Sequence, residues 1–82
     1  MGTNDAWPSI RHHGFRLRAR PYQLHATGLW TVEVEITRRG KLRAFSGAAR
    51  YSTEAEATTQ SLALGRLIVA GAVPGCSIDS IR

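Results

Sequence analysis

The stretch Leu29-Trp30-Thr31-Val32-Glu33-Val34-Glu35-Ile36-Thr37-Arg38 decides the fold class. Trp30, Val32, Val34 and Ile36 alternate with Thr31, Glu33, Glu35 and Thr37, and a pleated strand sends alternate side chains to opposite faces. β-branched and aromatic residues dominate, as in a strand with one face buried. The phase assigns Trp30 to the core with Val32, Val34 and Ile36, against the alternative of an exposed platform for stacking bases. Directly after it, Arg38-Arg39-Gly40-Lys41 is a compact hairpin signal, with Gly40 able to take a positive φ.

The reading extends outward in both directions. Downstream, a third strand is predicted at about 42–51. Leu42 and Ala44 share a face there, while Phe45 falls beside Lys41 and Arg43. Either Phe45 packs on the far face or a bulge near Ser46-Gly47 shifts the phase. On this phase Tyr22 and Phe45 are the exposed aromatics. Ser52-Thr53-Glu54-Ala55-Glu56 announces a helix over about 54–70, with the capping-box spacing from Thr53 to Glu56 and two carboxylates at the positive helix end. Ala57, Ser61, Leu64 and Ile68, with Gln60 and Leu67 beside them, form the expected buried stripe. Gly65 reads as a point of close approach to the sheet, and Gly71 followed by Pro74-Gly75 ends the helix.

Upstream, Phe15, Leu17 and Ala19 alternate with Arg16, Arg18 and Arg20, predicting a first strand at about 14–20 with a continuation toward His25. Pro21 cannot donate to a ladder and fits a sheet edge or the end of pairing. Residues 1–12 lack periodicity and contain Pro8, and read as a flexible leader in which the Trp7 ring folds back over a sheet edge. Beyond the helix, Ile78 and Ile81 close the core from a tail, from one helical turn or from a short extra strand. The predicted architecture is α+β: a three-stranded antiparallel meander packed against one C-terminal helix, in a single domain over residues 13–82.

Composition narrows the class. Eighty-two residues, 43% of them hydrophobic, make one small core. No run approaches the roughly 18 apolar residues of a membrane span, and the first residues lack the charged and apolar regions of a secretory signal. Cys76 stands alone, which fits a reducing cytoplasm. The expectation is a cytoplasmic protein with no membrane partner.

Charge carries the functional signal. Residues 11–50 hold eight Arg and one Lys against only Glu33 and Glu35, a local net of +7 in a chain of net +5. A pI near 10.7 favours polyanions through phosphate neutralisation and counterion release. Arg16, Arg18, Arg20, Arg38, Arg39, Lys41 and Arg43 are the candidate nucleic-acid-binding residues, gathered by antiparallel pairing onto one sheet face and its hairpin. Arg suits this through its fixed fork of donors. The competing reading sets Arg16, Arg18 and Arg20 opposite Glu33 and Glu35 as solvated ion pairs, which leaves the turn cations unmatched.

Other chemistry finds less support. His12 and His13 are adjacent, His25 is distant, and no carboxylate or Cys completes a zinc set, so no metal or other cofactor is expected. Ser46, Ser52 and Cys76 lack a nucleophile motif, Glu54 and Glu56 are accounted for by helix capping, and no glycine loop matches a phosphate-cradling fingerprint. The chain reads as non-catalytic.

The run from Trp30 to Lys41, then Phe45 and Tyr51-Ser52-Thr53-Glu54-Ala55-Glu56-Ala57, resembles two known groups. One is a set of small, functionally uncharacterised bacterial proteins of similar length that carry a Gly-Arg-Leu-Ile-type segment, here Gly65-Arg66-Leu67-Ile68; that resemblance covers most of residues 14–81. Over about residues 29–70 the chain is also similar to the three-stranded-sheet-plus-helix DNA-binding module of the AP2 and integrase arm-binding type. That likeness implies docking of the sheet in the major groove, with Arg38, Arg39, Lys41 and Arg43 at the matching positions and Thr31, Glu33 and Glu35 on the docking face. Together these readings predict an accessory protein that binds DNA or RNA. The competing class is a protein-interaction module, homodimeric through its sheet edge or apolar tail or bound to another protein.

Overall fold

A computed structural model of the chain describes residues 8–82, so the expectation for Trp7 falls outside the described residues. Four strands, β1 (Ser9–His12), β2 (Phe15–Ala19), β3 (Trp30–Arg38) and β4 (Lys41–Tyr51), form one antiparallel sheet in the order β1-β2-β3-β4. Among the described residues a single helix, α1 (Glu54–Val69), crosses one face over β2 and β3, and a 3-10 turn at Asp79–Ile81 follows it. The α+β class and the antiparallel meander agree with the sequence; the strand count does not. The additional strand is β1, within the segment read as a leader.

β1 exists because His13-Gly14 makes a two-residue turn that pairs His12 with Phe15. Both turn residues have positive φ, 51° and 83°, as a type I′ hairpin requires. Arg39-Gly40 repeats the device between Arg38 and Lys41, with φ of 52° and 80°.

Pairing defines the buried face. Leu17 lies opposite Ile36, Ala19 opposite Val34, and Val34 opposite Phe45. With Phe15 and Val32 these make the sheet side of the core, and Ile68, Val69, Ile78 and Ile81 close it from the helix and the tail. The Ile78 and Ile81 contributions come from the one-turn alternative, not from a further strand. Phe45 is therefore core, and Leu42 and Ala44 point to the open face, the reverse of their expected phase. A bulge does occur, but beyond Gly47. Trp30 pairs with Tyr51 while Val32 pairs with Gly47, so Ala48, Ala49 and Arg50 loop out. The Arg50 guanidinium donates to the carbonyls of Gly47, Ala48 and Ala49. This irregularity also corrects the reading of Trp30. It is only half-buried, while Thr31 is fully buried and its Oγ1 accepts from the Tyr22 N–H at 3.0 Å.

Helix ends follow the sequence closely. The Thr53 side chain caps the Glu56 N–H at 3.1 Å. At the other end Gly71 N–H donates to the Ile68 carbonyl and Ala72 N–H to that of Leu67, a Schellman pattern. The buried stripe is rotated from expectation: Ala57, Ser61, Gly65, Ile68 and Val69 face the sheet, whereas Gln60 and Leu67 are exposed and Leu64 is half-buried. Gly65 sets this rotation. A Cβ there meets Val34 Cγ2 at 3.0 Å and Leu17 Cδ1 at 3.1 Å, so the helix rests on the sheet through backbone. On an exposed helix surface Gly→Ala stabilises by about 1 kcal/mol. Here Gly65→Ala is expected to lose about 1 kcal/mol net, since overpacking a rigid core costs about 1–3 kcal/mol. Urea unfolding reads the sign, and a rise in stability refutes the close-packed contact.

Candidate nucleic-acid interface

The register sorts the basic residues into rows across the open face, the one away from α1. Arg11 lies opposite Arg16, and Arg16 opposite Thr37. In the next row Ser9 lies opposite Arg18, and Arg18 opposite Glu35. Arg20 follows, its N–H bonded to the Glu33 carbonyl.

Acids sit in the middle of this face. Arg20 Nη1 contacts Glu35 Oε2 at 2.7 Å, and Arg18 Nη1 lies 4.0 Å from Glu35 Oε1. Glu33 accepts a 2.6 Å hydrogen bond from Ser46 Oγ. Arg18 and Arg20 are thus engaged with carboxylate, as the ion-pair reading expects. Arg16 is not, because the acids opposite β2 stop one row short of it. Its neighbours in register are Thr37 and a second arginine.

Arg38, Lys41 and Arg43 occupy the other side of the sheet. Arg43 is in register with Ile36, and Arg38 with Lys41. The Arg38 guanidinium lies 5.0 Å from the centroid of the Phe15 ring, and that of Arg43 5.1 Å from Phe45. Arg43 also donates to Ser80 Oγ at 3.2 Å. Such cation–π contacts hold the side chains over the core rim while leaving their charge available. The seven candidates consequently do not share one face. A β3–β4 sheet face presented to DNA shows Glu33, Glu35, Leu42, Ala44 and Ser46, not Arg38, Lys41 and Arg43.

What the topology does bring together is an end. Both type I′ hairpins project from the same end of the antiparallel sheet. Arg11 and Arg16 stand there on the open face, Arg39 at the hairpin tip, and Arg38, Lys41 and Arg43 behind. Among the described residues none of these six lies within ion-pair distance of a carboxylate. The nearby Asp79 pairs with Arg82 at 3.0 Å. Like charges directly opposite on a sheet repel, so the Arg11–Arg16 pair is an arrangement that an anion relieves. Two adjacent guanidinium forks suit phosphate oxygens.

Arg11 is not among the candidates the sequence offers, because residues 1–12 read there as a leader. The signal that finds it is His13-Gly14, the same residue-then-glycine step that identifies the second hairpin.

No exposed Phe, Tyr or Trp ring lies at the hairpin end among the described residues. Tyr22 is 56% exposed but sits in the β2–β3 connection at the opposite end, beside a shallow depression of about 230 Å³ lined by Arg20, Glu33 and Glu35. Phe15 and Phe45 are buried. The cationic end therefore offers charge and hydrogen bonds, and the ring it exposes among the described residues is the His13 imidazole at the β1–β2 turn.

The His12 and His13 rings meet edge-on, 4.3 Å between centroids. Partial desolvation, then His13 and Arg66, push the His12 imidazole below its ordinary range. Among the described residues no three His, Cys, Asp or Glu side chains gather to hold a metal, and no helix is long and apolar enough to cross a membrane. Comparison with protein families, with curated proteins and with solved structures finds no match for this chain.

Proposed function

We propose that this chain is a non-catalytic, cytoplasmic accessory protein that binds nucleic acid by gripping phosphates with its hairpin end. The observation that supports it is the register pairing of Arg11 with Arg16, at the same end as Arg38, Arg39 and Lys41, with the acidic residues of the sheet held one row away. Phosphate contacts position a protein on nucleic acid without reading its sequence. The Glu33 and Glu35 carboxylates disfavour the sheet centre as a docking face.

Labelled duplex and single-stranded oligonucleotides, titrated with protein at two salt concentrations, test the reading. With about four phosphates neutralised, duplex affinity is expected to fall by about two orders of magnitude between roughly 50 and 200 mM salt. The double variant Arg11→Ala/Arg16→Ala is expected to flatten the salt slope by about two units, whereas Arg20→Ala, already bound to Glu35, leaves it unchanged. No binding at the lower salt, or an unaltered slope in the double variant, rejects the proposal.

A further inference from the structure

We propose that the hairpin end takes up a proton on His12 when it binds a polyanion, and so grips phosphate more tightly as the pH falls. The inference rests on the phosphate-binding reading of that end and adds its regulation. Imidazole is the side chain whose ordinary titration falls between about pH 5 and 8. Two of the chain's three histidines, His12 and His13, stand at this end.

His12 ends the last row of the sheet on the helix side. It lies opposite Phe15, Arg38 sits over the Phe15 ring at 5.0 Å, and Lys41 lies opposite Arg38. Arg66 of α1 acts on the imidazole with its positive charge. The exposed His13 ring meets it edge-on at the turn, 4.3 Å between centroids. Arg11 and Arg16 occupy the neighbouring row on the open face. In the tail Arg43 bonds Ser80, and Asp79 is taken by Arg82. The groups facing His12 from β2, β3, β4 and α1 are thus apolar or basic. Among the described residues no carboxylate lies within ion-pair distance of it.

Such surroundings work against a charged imidazole. Partial desolvation, then His13 and Arg66, hold His12 below its ordinary range, so in the free protein it is neutral at neutral pH. A polyanion held at this end reverses the sign of the surrounding charge. Its oxygens also accept from both N–H groups of an imidazolium, whereas a neutral ring donates from one nitrogen only. Bound, His12 therefore keeps its proton to a higher pH than when free. The complex binds more protons than its separate parts, so affinity rises as the pH falls. That gain is complete below the titration of the free protein and vanishes above that of the complex. Arg and Lys stay charged across this range and contribute no such dependence.

Proton NMR of the imidazole rings, titrated from about pH 5 to 8 with and without saturating duplex oligonucleotide, reads the coupling. The proton affinity of His12 is expected to rise about tenfold on binding. His25, in the β2–β3 connection at the opposite end, is expected not to respond. Duplex affinity is expected to rise about tenfold from about pH 7.5 to 5.5. The double variant His12→Gln/His13→Asn is expected to bind like the parent at the higher pH and to lose most of that rise. The Asn-Gly step it carries suits a type I′ turn, so the hairpin is kept. Dextran sulfate, a polyanion without bases whose groups do not titrate in this range, is the second probe. If it raises the His12 titration while no oligonucleotide binds, the coupling stands and the nucleic-acid reading fails. If duplex binds while His12 titrates as in the free protein, or the double variant keeps the full pH dependence, the coupling alone fails. A His12 titration that neither polyanion moves also overturns it.

Discussion

Leu17→Ala is expected to lower the urea midpoint of unfolding by about 3 M. Leu17 is completely buried at the centre of the meander, with Ile10 and Ile36 in register on either side. Its methyl groups fill the space that a side chain on α1 would otherwise take, because the residue above it is Gly65. Removing them opens a cavity that a glycine cannot fill, and the neighbouring Val34 and Ile36 are themselves buried. Such a site falls at the upper part of the Leu→Ala range, about 3–5 kcal/mol. A chain of this length is stable by roughly 4–12 kcal/mol in total, and a small domain loses about 1 kcal/mol per molar urea. The substitution thus consumes a large part of the whole stability. Leu42→Ala, on the open face and half exposed, serves as the control and is expected to change stability by no more than about 0.5 kcal/mol. A Leu17→Ala protein within about 1 kcal/mol of the parent contradicts the packing of α1 on β2.

Where the sequence was readable, it was readable through local rules. Alternation in β3 from Val32 to Ile36, the Thr53 cap and the Gly71 terminator each involve residues close in the chain, and each appears in the structure at the expected place. Longer-range features were less visible. The phase of β4 depends on which of its residues faces Val34, and only the turn length at Arg39-Gly40 settles that Phe45 does. Counting from that turn inverts the assignment that Leu42 and Ala44 suggest by hydrophobicity alone. Gly65 reads in the sequence as a point of close approach and is one in the structure, but it carries no apolar side chain, so the apolar spacing alone places the stripe on α1 too far toward Leu64 and Leu67. β1 was hidden by its brevity: four residues give too short an alternation to stand out, and the turn that creates it uses His where Asn or Asp is commoner.

The candidate site shows the same division. Arg16, Arg18 and Arg20 look equivalent in the chain, and their shared face follows from strand periodicity. Their electrostatic surroundings do not. Glu35 lies opposite Arg18 and reaches Arg20, while Arg16 meets Thr37 and Arg11. A strand pairing one residue different would exchange faces and partners throughout. The positive charge of residues 11–50 was evident from composition; its concentration at the hairpin end required the fourth strand and the exact sense of both turns.

Ser61→Ala is expected to destabilise the protein by about 1–2 kcal/mol, although Ala is the better helix former. Ser61 is fully buried. Its hydroxyl donates to the Ala57 carbonyl at 2.7 Å, and its Oγ accepts from the Glu33 N–H at 3.0 Å, tying α1 to β3. The first bond is one a helical Ser makes to its own preceding turn, and its loss leaves a carbonyl that already serves the helix. The second matters more, since an unsatisfied N–H in a dry interface costs about 1–3 kcal/mol. Better helix propensity returns about 0.5 kcal/mol, which leaves the net loss stated. Amide hydrogen exchange locates the effect: Glu33 N–H is expected to lose more protection than the buried strand amides around it. Because the Glu33 carboxylate also holds Ser46 across the open face, a loosened Glu33 reaches the acidic row that separates Arg16 from the centre of the sheet. An unchanged or increased midpoint, with Glu33 exchange no faster than its neighbours, shows that the helix hydroxyl does not anchor the strand.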